Sequence, residues 1–128
     1  MAQTEKLAGI WMDHQEAFVI SNHDGKTVNG LQVKAHVKAE HQGGHGSEHT
    51  SQNAKKNTLH KFFQEAMQPL TNTEELYLIG TGTAQEELMH YLAEIPQWKK
   101  MKVTQDTAGK MRADQALNVI SEHYKNRL

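Results

Sequence analysis

The chain has no cysteine, which excludes a disulfide framework and any thiolate metal centre. It has only two prolines, Pro69 and Pro96, and each falls where a helical pattern stops. Aromatic residues make up 6% of the chain, and no cluster of them suggests a platform for stacking bases. No segment approaches the roughly 20 apolar residues that a membrane-spanning helix needs. The opening MAQTEKLAGIWMDH has no apolar run of signal-peptide length. The expectation is a cytoplasmic protein without a membrane partner. At 128 residues it is expected to be a single domain, 1–128, with one core.

The net charge of −1 conceals an uneven distribution. Residues 62–97 hold six acids and no Lys or Arg. Residues 26–61 hold six lysines against Glu40 and Glu48, and residues 98–128 hold seven basic residues against three acids. Such asymmetry fits a basic surface for an anionic partner, and it also fits ordinary solvated faces.

Apolar periodicity divides the chain in two. Leu7–Met12 and Glu16–Ser21 read as strands separated by Asp13-His14-Gln15, and Asp24-Gly25 is a tight-turn signal. A third strand alternates, with Leu31, Val33, Ala35, Val37 and Ala39 on one side and Gln32, Lys34, His36, Lys38 and Glu40 on the other. Gly30 marks a candidate bulge before it. Leu59, Phe62, Phe63, Ala66, Met67 and Leu70 then follow a helical period. Leu76–Ile79 is a short buried strand, and Thr83 with Glu86 reads as a capping box opening a second helix. Met101–Thr104 is a fifth strand. A last helix from about Met111 buries Ala113, Leu117, Ile120 and Tyr124. The order β-β-β-α-β-α-β-α implies an α/β fold with a mixed five-stranded sheet, parallel in its second half. Trp11 and Phe18 read as core and Trp98 as partly exposed.

Between the third strand and the first helix lies a polar stretch, about residues 41–57, without an apolar anchor. A mobile loop of this length is usually functional or disordered. Its centre is Gln42-Gly43-Gly44-His45-Gly46, and Lys34, Lys38, Lys55, Lys56 and Lys61 flank it. Glycines permit close backbone approach to a partner, and lysines supply sequence-independent phosphate contacts. His41, His45 and His49 offer imidazole ligands for Zn²⁺ or Ni²⁺, the one cofactor alternative to none, although the glycines oppose a helix that would align them. Asp13 at the end of the first strand, with Asp106 and Asp114, is the alternative constellation for a metal-dependent nuclease. Gly80-Thr81-Gly82-Thr83 is a strand-to-helix turn that could receive an anion. His14, His23, His60, His90 and His123 read as surface or satisfied histidines.

Three stretches carry a resemblance. They are Ala8-Gly9-Ile10-Trp11-Met12-Asp13-His14 running into Glu16-Ala17-Phe18-Val19-Ile20, Leu76-Tyr77-Leu78-Ile79-Gly80-Thr81-Gly82, and Thr107-Ala108-Gly109-Lys110-Met111 into Gln115. With them the chain resembles the central domain of eukaryotic and archaeal class I peptide-chain release factors and of Pelota, a ribonuclease H-like fold, and small bacterial proteins consisting of that domain alone. In release factors the corresponding loop carries Gly-Gly-Gln for peptidyl-tRNA hydrolysis. Here Gly43-Gly44 is followed by His45, and Gln42 precedes it. Pelota serves ribosomes without that motif. The resemblance therefore implies a non-catalytic, translation-associated protein that binds the ribosome, tRNA or another RNA.

Overall fold

The structure is a computed structural model that describes residues 6–22, 30–39 and 51–127, with the backbone alone for 51–58 and 127. The strands are β1 (Leu7–Met12), β2 (Glu16–Asn22), β3 (Leu31–Lys38), β4 (Glu75–Gly80) and β5 (Lys102–Thr107). The helices are α1 (Ser51–Met67), α2 (Thr83–Ala93) and α3 (Ala113–Arg127). The sheet order is β3-β2-β1-β4-β5, antiparallel across β3, β2 and β1 and parallel across β1, β4 and β5. This is the α/β architecture with a mixed five-stranded sheet that the apolar periods imply.

Two cores form because β1 and β4 are buried at every position and almost wholly apolar. Ile10, Met12, Val19, Leu76 and Leu78 pack on one face with Phe62, Phe63 and Met67 of α1 and Leu88 of α2. Trp11, Phe18, Ile20, Tyr77 and Ile79 pack on the other with Ala116, Ile120 and Tyr124 of α3. Helix α3 lies close because Gly9 has no Cβ: an added one would meet Ile120 Cγ2 at 2.5 Å. The Tyr124 hydroxyl then reaches across to donate to the Ala8 carbonyl at 2.6 Å.

Several details depart from the sequence reading. Helix α1 begins at Ser51, inside the stretch expected to remain loop to about 57. Gln52, Ala54, Lys55 and Lys56 are good helix formers, and intrinsic propensity extends the helix past its apolar stripe. Strand β3 does not keep one alternation. Val19 pairs with Ala35 and Ile20 with Val33, which leaves Lys34 as the extra residue of a bulge. The bulge lies there and not at Gly30, and it switches the faces. Leu31 joins the core under α3, whereas Ala35, Val37 and Ala39 pack toward α1 and α2; Val33 is left 39% exposed. Trp98, expected partly exposed, is buried beside Met101. The expected Thr83 capping box is absent, because the N-cap is Gly82 at φ 116° with no side-chain cap bond. The chain needs that positive φ to leave β4, which puts a glycine where a capping side chain would stand. The Asp24-Gly25 turn lies outside the described residues.

Gly80 sits where β1 and β4 end together. A Cβ there would meet the Met12 carbonyl oxygen at 2.3 Å, and backbone cannot move aside as a flexible side chain can. Gly80→Ala is expected to cost about 2 kcal/mol or more by overpacking. Ile120→Ala, which empties a fully buried site, is expected to cost about 2–5 kcal/mol. Urea unfolding of both variants beside the parent checks the two values.

Candidate functional site

The site is built on the Asp13–Glu16 turn, at the carboxyl ends of β1, β4 and β5. Ligands of open α/β sheets lie outside the carboxyl ends of the strands. Asp13 closes the turn with its own side chain. Its Oδ1 accepts the backbone N–H groups of Gln15 at 2.8 Å and Glu16 at 2.9 Å, a short-range pattern Asp favours in turns. The other oxygen, Oδ2, accepts from Lys110 Nζ at 3.0 Å. Lys110 comes from the connection between β5 and α3, and it also bonds Glu16. Glu16 in turn meets His36 Nε2 of β3 at 2.6 Å.

Aromatic rings underlie these charges. Lys110 Nζ stands 5.2 Å from the Trp11 ring centroid, within cation–π range. Trp11 stacks on Phe18 at 5.6 Å, and Phe18 meets the His36 ring at 4.8 Å. The Trp11 indole donates to the Gly109 carbonyl at 3.1 Å, which holds the residue before Lys110 in place. Lys110, Glu16, His36, Phe18 and Trp11 thus form a closed circuit joining β1, β2, β3 and the β5–α3 connection. His14 extends it to α2 through Glu87 Oε1 at 2.7 Å.

The circuit sets the charge states. Lys110, then His36, holds the Glu16 carboxyl below its ordinary value. Burial pushes the Asp13 carboxyl up, but the turn N–H bonds and Lys110 outweigh it and the net shift is downward. Glu16, then Asp13, raises the Lys110 ammonium. The site is a hydrogen-bonded, ion-paired platform. It also fixes the end of β3, since the Ala39 N–H donates to the Gln15 carbonyl at 2.9 Å. Strand β3, with Ala39 after it, therefore ends directly beside the platform.

The three aspartates suggested for nuclease chemistry are not brought together. Asp13 is held by Lys110. Asp114 pairs with Arg112 at 3.1 Å. Asp106 on β5 accepts from the Tyr77 hydroxyl at 2.7 Å; burial, then that bond, pushes the phenol up to about 12. Among the described residues no group of three His, Asp or Glu side chains is placed to hold a metal ion. His41, His45 and His49, with Gln42, Gly43, Gly44 and Gly46, lie outside the described residues, as do the side chains of Lys55 and Lys56. Lys38 stands opposite Glu16 at the platform, whereas Lys34 lies toward the other end of β3. Lys61 is exposed on α1. The Gly80–Thr83 turn leads into α2, and next to it buried Gln85 spends its amide on the Asp106 carbonyl at 2.8 Å.

Glu16, His14, His36, Glu87 and Lys110 were not legible as a site. The local signal was Asp13-His14-Gln15-Glu16, a polar turn between two apolar strands. Nothing in the sequence tied it to Lys110, which is 94 positions from Glu16.

No protein-family sequence model and no curated protein sequence matches the chain. Solved structures do. The Thermoplasma acidophilum Pelota protein matches over 87% of this chain at 17% identity and a TM-score of 0.57. An archaeal translation termination factor, aRF1, matches over 94% at 14% identity and 0.52. A further archaeal protein matches over 94% at 14% identity and 0.63. This chain spans 30–37% of the length of those chains. At such identities the likeness establishes a shared fold, the one the sequence resemblance implied.

Removing Lys110 leaves two carboxylates without their cation. Both are depressed, so their contribution to stability is present above the ordinary carboxylate range and lost as pH falls through the depressed values. In Lys110→Gln the titration midpoints of Glu16 and Asp13 are expected to rise and the acid limb of the stability curve to flatten. Carboxyl NMR titration with pH-dependent unfolding checks this; unchanged midpoints would remove Lys110 from the circuit.

Proposed function

We propose that the chain is a translation-associated module that binds the ribosome, tRNA or another RNA without catalysing a reaction. The segment with Gln42, Gly43, Gly44, His45 and Gly46 is the inserting element. Lys38, Lys55, Lys56 and Lys61 are its positioning cations, and Lys34 lies further along β3. Fold alone does not fix function. One placement supports the reading beyond the fold. Ala39, the last described residue before the Gly-Gly segment, is bonded to the turn of a platform that joins three strands and the β5–α3 connection, and in the sequence α1 comes after the segment. A segment that enters a partner's crevice needs a rigid root, because freezing it on binding costs conformational entropy.

The test is co-sedimentation with ribosomes from the encoding organism over a salt series. The parent protein is expected to co-sediment at low salt and dissociate as salt rises. The variant Gly43→Ala, Gly44→Ala, His45→Ala is expected to stay near the top of the gradient. A parent protein that never co-sediments would remove the ribosome from the reading.

A further inference from the structure

The other end of the sheet carries a different surface. Lys6, Glu74 and Lys102 are adjacent through the backbone: Glu74 N–H donates to the Lys6 carbonyl at 2.9 Å, and Lys102 N–H donates to the Glu74 carbonyl at 3.0 Å. Lys99 and Lys100 precede β5 in the turn closed by the Met101 N–H on the Trp98 carbonyl at 3.2 Å. All four lysines are exposed. Among the described residues no carboxylate pairs with any of their ammonium groups. Glu74 accepts the Lys6 backbone N–H at 2.9 Å, and Glu75 is buried.

Beside this row runs a groove of about 340 Å³. Lys6 and Lys34 line it together with Ser21, Asn22, Thr71 and Thr73 and with the apolar Leu7 and Pro69. Lysines mixed with hydroxyls and an amide are the side chains that contact phosphate and sugar oxygens. No aromatic lines the groove, so bases would not be stacked and sequence would not be read. We propose that this amino-terminal end of the sheet binds the sugar–phosphate backbone of RNA, with Lys6 and Lys34 in the groove and Lys99, Lys100 and Lys102 carrying the strand past the β5 edge. The surface lies at the opposite end of the strands from the platform. It depends neither on ribosome binding nor on residues 40–50.

The probe is a labelled 12-nucleotide oligouridylate followed by fluorescence anisotropy, with log affinity plotted against log salt. The parent is expected to bind at low salt with a steep negative slope. Lys6→Gln, Lys99→Gln, Lys100→Gln and Lys102→Gln combined are expected to weaken binding about tenfold or more at low salt. The slope should become shallower by about 0.7 for each phosphate that is no longer neutralised. Thr73→Glu, which puts a carboxylate into the groove, is expected to weaken it likewise. The Gly43→Ala, Gly44→Ala, His45→Ala variant is expected to bind this short RNA as the parent does, which separates this surface from the proposed inserting segment. The proposal is overturned if the parent does not bind, if the lysine variant keeps the parental affinity and slope, or if only the Gly43 to His45 variant loses binding.

Discussion

Strand β1 is hydrogen-bonded along both edges and covered on both faces, and each of those interactions constrains a different part of the chain. Its antiparallel edge fixes β2. Its parallel edge fixes β4 in register from Leu7 opposite Glu75 to Met12 opposite Gly80. One face is closed by the two crossover helices and the other by α3, which approaches through the missing Cβ of Gly9. A strand so enclosed can hold no polar side chain until it emerges. The first one after it, Asp13, therefore stands at the mouth of the sheet. The platform grows from that point because the strand delivers a carboxylate, and Trp11 just before it, to the end of the sheet where β3 and β4 also finish and the β5–α3 connection begins.

That enclosure also sorts charge by position along the strands. At the carboxyl end, carboxylates are paired with Lys110 and hydrogen-bonded to His36 and His14. At the amino end, Lys6, Lys99, Lys100 and Lys102 stand without a carboxylate partner among the described residues, beside a groove that Ser21, Thr71 and Thr73 help to line. Paired charges largely cancel in the field they present, whereas solvated cations make a surface available to an anion. The two ends suit different tasks: one fixes the end of β3, and the other is the surface proposed to meet phosphate. The modest net charge of the whole chain hides this, because opposite signs cancel in a sum that ignores place.

The sheet's apolar patterning was readable in order. Six consecutive buried residues in β1 and six in β4 show as short apolar runs because a central strand has two buried faces. The α1 stripe from Leu59 to Leu70 and the terminating effect of Pro69 and Pro96 were readable for the same reason, as local periodicity and local sterics. Where local rules competed, the outcome was not readable. Ser51 to Asn57 could continue as loop or helix, and propensity without apolar content gives no period to detect. Thr83 satisfied a capping pattern, yet the exit from β4 required a positive φ one residue earlier.

What the sequence by itself determined is therefore the order of elements, the mixed parallel and antiparallel sheet, and the segment between β3 and α1 as the least apolar part of the chain. These follow from burial periodicity, which each segment carries within itself. Tertiary structure alone decided that β3 changes faces at Lys34, that Lys110 closes a circuit on a turn far earlier in the chain, and that Lys6 and Lys102 stand at one end as neighbours of Glu74. An ion pair, a bulge and a charged surface depend on distances between residues remote in sequence, and those distances exist only once the strands are in register.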